Sequence, residues 1–189
     1  MSKNEKYVMK KTIIVFVLFV FGLGIWGYIQ IFGSSVPSDI MELVETKETT
    51  VLVDFRLPSY KKRLWVVKNK KVIFSTRVSH GKKSGETYAE KFSNKIGSNM
   101  SSLGKYRTAK NSYKGKHGLS LRIYGLDPTN DNAFKRNVVF HGADYAKLSF
   151  FFTHCRLGRS EGCFATDPVD NLKVIELIKG GKLMHVVGK

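Results

Sequence analysis

A chain of 189 residues carries 32 Lys and Arg against 15 Asp and Glu, a formal net charge of +17. Its length suits one compact core and is short for two. The lysines are dispersed through the chain and not gathered in one block, which argues against a nucleic-acid module.

Lys3, Lys6, Lys10 and Lys11 precede an uncharged run from Thr12 to about Gly33, rich in Ile, Val, Phe and Leu. A helix of about twenty such residues crosses a hydrocarbon core of about 30 Å. The run exceeds the apolar region of a cleavable signal peptide, about 7–15 residues, so an uncleaved anchor is favoured over cleavage near Gly33-Ser34-Ser35. Basic residues before the span and none directly after it place the N-terminus in the cytoplasm. The expected layout is a cytoplasmic tail (1–11), a transmembrane signal anchor (12–33), a linker (34–48) and a folded domain (49–189). That makes a single-pass protein of the inner (cytoplasmic) membrane with an extracytoplasmic or periplasmic domain, secreted if the segment is cut. The exported part keeps a charge of about +14 once the four lysines and Glu5 are removed. Anionic head groups or an acidic wall polymer suit it better than nucleic acid.

The linker opens Ser-Ser-Val-Pro-Ser-Asp, then carries Glu42, Glu45 and Glu48, and reads as a tether or short helix. Thr49–Arg56 is β-branched and partly alternating, hence a strand. Arg63–Val67 and Val72–Val78 flank Lys-Asn-Lys-Lys and predict a hairpin. Ser79–Ser102 is polar and glycine-dotted, a long loop of the kind that carries function. Leu103–Thr108 starts another strand, and Gly115–Gly125 gives a turn and a strand. Pro128–Asn132 supplies turn and cap chemistry for a short helix over Ala133–Arg136. Asn137–His141 is an apolar strand. A final helix is capped by Thr166 or Asp167, with Pro168 in its first turn and Val169, Leu172, Ile175 and Ile178 as its apolar face. Gly180-Gly181 ends it, and Leu183–Val187 is the last strand.

Between the Asn137–His141 strand and that helix lies Gly158-Arg159-Ser160-Glu161-Gly162-Cys163, whose thiol is twenty-two residues beyond His141. A thiol after a glycine in a polar turn, with a histidine at a strand end, supplies the nucleophile, base and backbone N–H groups of cysteine catalysis. A small buried cysteine and an unrelated core histidine would leave the same residues. Cys155 and Cys163 are the only cysteines. A disulfide between them would close a short loop that removes little unfolded-state entropy, so a free Cys163 is favoured. His154 and Cys155 near Cys163 and His141 lack the paired C-x-x-C spacing of a zinc site, so no metal and no cofactor is expected. His80, His117 and His154 read as loop hydrogen-bonding groups and His185 as structural. Tyr106 and Tyr124 are core or groove aromatics.

Taken in order, Ser79-His80-Gly81, Phe92-Ser93-Asn94, Ser101–Tyr106, Gly115–Leu121, Asn132-Ala133, Arg136, His141–Tyr145 and Gly158–Cys163 resemble the L,D-transpeptidase catalytic domain family, in a branch carrying R-S-x-G-C. The resemblance covers roughly Val51 to Val187. It implies a mainly β, mixed β-sandwich with one or two short helices. It further implies Cys163 as nucleophile, His141 as base and Gly162, Gly142 and Ser160 as oxyanion or orienting positions. Arg159 and Tyr145 are implied to meet substrate, Arg159 also favouring the thiolate by its charge. The implied reaction is acyl transfer on peptidoglycan stem peptides, giving 3→3 cross-links through a thioester. Alternatives are an L,D-carboxypeptidase and an inactive wall-binding module. Glu161 stands where the branch often carries an aromatic residue, and its charge is expected to raise the thiol pKa.

Overall fold

The computed structural model describes residues 3–33, 35–44 and 47–189. Ser34 of the candidate cleavage site and Glu45 of the expected linker lie outside them. Contacts divide the chain into two units, at Gly33/Ser34.

The first unit is one helix, α1 (Lys3–Phe32), within which Tyr7–Ile29 is long and apolar enough to cross a membrane. The basic stretch before Thr12 continues the same helix.

The second unit is mainly β. Its strands are β1 (Thr50–Asp54), β2 (Leu64–Lys68), β3 (Lys71–Thr76), β4 (Gly104–Thr108), β5 (Tyr113–Gly115), β6 (Gly118–Gly125), β7 (Val139–Gly142), β8 (Phe164–Thr166) and β9 (Leu183–Val187). They run in the order β3-β2-β1-β9-β4-β6-β7-β8, with β5 beside β6. The sheet is mixed, since β1–β9 and β7–β8 are parallel pairs. The C-terminal half of β6 pairs with β4 and the N-terminal half with β5 and β7, joining two halves of sheet. Val51, Val53 and Val66 of one half share a core with Phe140 and Phe164 of the other. This is the expected sandwich.

The β2–β3 hairpin is tighter than the four-residue turn expected. Asn69 and Lys70 both take positive φ, the geometry of a two-residue turn whose twist matches that of its strands. The helix expected over Ala133–Arg136 is instead a run of turns. The amides of Ala133, Arg136 and Asn137 bond the carbonyls of Asn130, Asn132 and Phe134, and Asn137 at φ 54 stops the run. So short a segment gains too few bonds to nucleate a helix.

Among the described residues, three α-helices and a 3-10 turn (Asp144–Ala146) complete the unit. In α2 (Ser38–Met41) and just after it, Ile40 and Val44 are buried against Leu52, Trp65 and Val67 on the second face of β1 and β2. Helix α3 (Leu148–His154), not foreseen from the sequence, belongs to the crossover between parallel β7 and β8. Such a crossover is obligatory for parallel strands. Helix α4 (Pro168–Ile178) is capped by the Asp167 carboxylate, which accepts from the Val169 amide at 2.9 Å. Its buried face differs from the expected one. Ile175 and Ile178 are inside, but Val169 and Leu172 are 64% and 56% exposed and Asn171 and Val174 take their places. The N-terminal turn of α4 abuts Gly142, where an added Cβ would lie 2.9 Å from the Pro168 Cα.

Candidate active site

His141 sits on β7, paired with Ala165 of β8 across the parallel ladder. Cys163 is the residue directly before β8. Because strand side chains alternate, Cys163 falls on the same face as Ala165 and therefore as His141, in the diagonal relation of an i, j−2 pair. Phe140 and Phe164 take the opposite face, into the core. Residues from separate stretches of sequence are thus brought to one face because two short strands pair in parallel.

Each side chain is held locally. The His141 Nδ1 lies 3.0 Å from the Gly142 carbonyl oxygen. A carbonyl accepts only, so Nδ1 carries the proton and Nε2 is left as the basic nitrogen. Burial lowers the His141 pKa, and nearby His117 lowers it further, against the raising effect of the Gly142 carbonyl. The His117 ring stacks on His141 with centroids 4.5 Å apart. The sequence reads His117 as a loop donor; its position over His141 follows from the β5–β6 turn and leaves no sequence signal beyond the family pattern.

The thiol is partly exposed, and its sulfur lies 3.6 Å from the Asn137 carbonyl oxygen. Burial pushes its pKa up. The Val139 backbone and the Arg136 guanidinium draw it back, and Glu161 adds a last, small upward push. Glu161 thus acts in the expected direction but ranks last among the causes. Its carboxylate is turned outward and paired with the Lys82 ammonium at 2.8 Å. Cys155 is also a free thiol, so no disulfide ties the pair.

Gly162 has φ +116, and a Cβ there would come within 2.8 Å of the Met100 carbonyl oxygen, so the turn before the thiol needs glycine. The Gly162 N–H donates to Ser160 Oγ at 3.1 Å, and Ser160 Oγ donates to the Cys163 carbonyl at 2.7 Å. Gly162 and Ser160 thus shape the turn, and the Gly162 amide is already spoken for. The loop from Ser79 fixes the whole turn from below: the Ser160 amide donates to the His80 carbonyl, and the Lys82 amide to that of Ser160. His80 is therefore a buried scaffold residue.

Arg159 is placed away from the thiol. It pairs with Glu86 and donates to the carbonyls of Lys82 and Gly85. The cation that acts on Cys163 is Arg136, half-buried, which also donates to the carbonyls of Ser93 and Met100 and to the hydroxyls of Ser98 and Ser102. Sequence proximity favoured Arg159, four residues from the thiol; spatial proximity favours Arg136, twenty-seven away. Tyr145 is close enough that Cys163 and Glu161 add to the upward shift burial gives its hydroxyl.

A groove of about 740 Å³ opens beside this cluster, lined by His117, Gly142, Asp144, Tyr145, Asn171 and Leu172 among others.

A thiol raised and an imidazole lowered make a neutral resting pair. Alkylation of Cys163 in a Cys155→Ala chain is expected to rise with a midpoint above the ordinary thiol value of about 8.5. Rates of iodoacetamide labelling against pH, read by intact mass, check this. A midpoint near or below neutrality would mean a preformed thiolate–imidazolium pair.

Residues 37–187 match the L,D-transpeptidase catalytic domain family. No curated protein matches the chain. Among solved structures, an L,D-transpeptidase from Stackebrandtia nassauensis is 19% identical, with TM-score 0.46, over 76% of this chain and 57% of that one. An L,D-transpeptidase from Mycobacterium smegmatis is 14% identical, with TM-score 0.46, over 74% and 58%. The catalytic domain of the Enterococcus faecium enzyme is 16% identical, with TM-score 0.40, over 76% and 99%. The first of these chains is thus spanned over little more than half its length.

Proposed function

The chain belongs to the L,D-transpeptidase catalytic domain family, and from that premise we propose that it transfers acyl groups between peptidoglycan stem peptides through a thioester on Cys163. What supports this is the parallel β7–β8 pairing, which sets Cys163 on one face with His141, whose Nδ1 is anchored on the Gly142 carbonyl.

His141 Nε2 takes the thiol proton as sulfur attacks the carbonyl of the third stem residue. The bond to the terminal D-alanine breaks, and the same proton passes from Nε2 to the leaving amine. An amine of a second stem then attacks the thioester and gives its proton to Nε2. Sulfur leaves and recovers a proton from the imidazolium, and a 3→3 cross-link remains. Arg136 stabilises the thiolate as it forms. The Gly162 amide bonds Ser160 Oγ, so the Cys163 amide is the donor we assign to the oxyanion. Helix α1 anchors the chain in the cytoplasmic membrane with this site on its outer side. No cofactor enters the scheme.

The detergent-solubilised chain, given a stem tetrapeptide ending in D-alanine, is expected to release D-alanine, to gain the tripeptide acyl mass and to form cross-linked dimers. Intact-mass and product chromatography read all three. D-alanine release without dimers would make the enzyme an L,D-carboxypeptidase. Neither release nor an adduct would overturn the catalytic reading in favour of a wall-binding module.

A further inference from the structure

The face of the sheet that carries His141 and Cys163 continues onto β6. Ser120 pairs with His141 and Arg122 with Val139, so alternation sets Ser120, Arg122 and Tyr124 on that face, while Leu121 and Ile123 enter the core. Phe140 pairs with Phe164, which places Cys163 beside Val139. Arg122, Val139 and Cys163 therefore form one row across β6, β7 and the start of β8, and the backbones of Arg122 and Cys163 are about 10 Å apart. Asn137 spans part of that interval. Its carbonyl oxygen lies 3.6 Å from the Cys163 sulfur, and its Oδ1 lies 3.5 Å from the Arg122 Nη1. Through that one residue the guanidinium is within about 12 Å of the sulfur.

Arg122 is restrained and has no counter-charge of its own. Its guanidinium lies over the rings of Tyr113 and Phe134, 5.2 Å from each ring centre. A fork held over rings still presents its N–H groups edge-on to an acceptor. Around it opens a groove of about 620 Å³, lined by Arg107, Lys110, Tyr113, Arg122 and Tyr124 among others and by no carboxylate. Arg107 is the cross-strand partner of Tyr124, so it stands diagonal to Arg122 on the same face. It is anchored through its Nη1 to the Gly181 carbonyl at 3.0 Å. Among the described residues, none of Arg107, Lys110 and Arg122 pairs with an Asp or Glu. Three cations lining one concave surface favour an anionic ligand.

We propose that Arg122, with Arg107 beside it, binds a free carboxylate of the donor stem on the amino-terminal side of the scissile carbonyl. A guanidinium fork takes a carboxylate through two parallel N–H bonds. The span favours one carboxylate over another. That of the leaving D-alanine stays within about 4 Å of the carbonyl under attack, whereas a free α-carboxylate on a second residue linked through its side chain lies about 8–9 Å away in an extended stem. The longer reach carries the anion past Asn137 to Arg122. This assignment rests on the acyl-transfer reading above and adds which part of the donor the enzyme recognises.

The test uses the full chain in detergent micelles and two donors. One is L-Ala–γ-D-Glu–Nε-acetyl-L-Lys–D-Ala, and the other is the same tetrapeptide with the glutamate α-carboxylate amidated. The rate of D-alanine release is followed against donor concentration. Wild type is expected to favour the acid donor about 10- to 100-fold in kcat/KM, the range for hydrogen bonds to a charged group, through a lower KM. Arg122→Met is expected to bring the acid donor down to the level of the amide and to leave the amide donor within about threefold of wild type. Arg122→Lys, which keeps the charge and loses the fork, is expected to fall between them. Wild type that treats the two donors alike overturns the assignment, and that comparison needs no variant to fold. An Arg122→Met chain that keeps the preference also overturns it. So does one that loses both donors in step, which would make Arg122 structural or a partner of the D-alanine carboxylate. Wild type that releases no D-alanine from either donor overturns the acyl-transfer reading itself, and the assignment with it.

Discussion

Cys163→Ala is expected to abolish both the acyl adduct and D-alanine release, and His141→Gln to lower the rate of acylation by about 10²–10⁴-fold at neutral pH. The two variants fail for different reasons. Alanine removes the sulfur that forms the thioester. Glutamine leaves the sulfur but removes the nitrogen that takes its proton. Because burial raises the thiol pKa and lowers that of His141, wild type holds little thiolate at neutral pH and depends on proton transfer during attack. His141→Gln should therefore regain activity as pH rises toward the thiol's raised pKa, whereas Cys163→Ala should not regain it at any pH. In wild type, protonation of His141 halts the reaction, so the acidic limb of kcat/KM should fall below the ordinary imidazole value of about 6.5. A double variant should be no slower than Cys163→Ala alone, since the pair acts as one unit. Residual release in Cys163→Ala, or a His141→Gln variant within a few fold of wild type, would sink the assignment. Single-turnover mass spectrometry across the pH range reads every arm.

Much of this arrangement could be read from residue order, for reasons that differ by element. The β2–β3 hairpin and β9 are runs of β-branched residues bounded by turn chemistry, so local preference and final structure agree. Helix α4 announced itself through Asp167 and Pro168, which act within one turn of chain. Its buried face did not, because Asn171 is held inward by the Leu119 carbonyl of β6, which only tertiary structure brings against α4, while Leu172 stays exposed. Three consecutive phenylalanines hid α3, since aromatic residues favour strands and only the demand of a parallel crossover makes that segment helical. At the site, the types Cys163 and His141 were legible from chemistry and from family pattern. Their shared face was not, because nothing in a twenty-two-residue separation says that β7 and β8 pair in parallel. Arg136 and Arg159 show the limit most clearly. Both are arginines in turns, and only the loop at Ser93–Ser102, which fixes one, and Glu86, which holds the other, decides which charge reaches the thiol.

The second large effect lies under the site. Arg63→Met is expected to destabilise the domain by about 3–5 kcal/mol, the range for breaking a buried charged network from one side. Arg63 is fully buried. Its Nε and Nη2 donate to the Val78 carbonyl at 3.0 and 2.8 Å, and Nη1 donates to that of Leu57 at 2.8 Å. Nη2 also donates to His80 Nδ1 at 2.8 Å, and the guanidinium lies 4.9 Å from the Phe55 ring centre. Burial pushes its pKa down to about 9, against the pull of Asp54, so it is still charged at neutral pH. Methionine fills much of the volume but leaves two carbonyls and an imidazole nitrogen without donors. His80 feels the same surroundings: burial, then Arg63, hold its pKa at about 3. The sign follows directly. Below about pH 6.5 the unfolded chain binds a proton at His80 that the folded chain refuses. The contribution is whole above 6.5 and falls by about 1.4 kcal/mol per pH unit as pH drops toward 3. Because the His80 carbonyl receives the Ser160 amide, loosening this network also loosens the turn that carries Cys163. Arg63→Met should therefore lower acylation as well as stability, although Arg63 bonds only groups in this buried network. Urea denaturation at pH 7 and pH 4.5, with the D-alanine burst measured on the same samples, checks both effects. A stability loss under about 1 kcal/mol, or an unchanged burst in a clearly destabilised variant, would show that the scaffold and the nucleophile's turn are not coupled through His80.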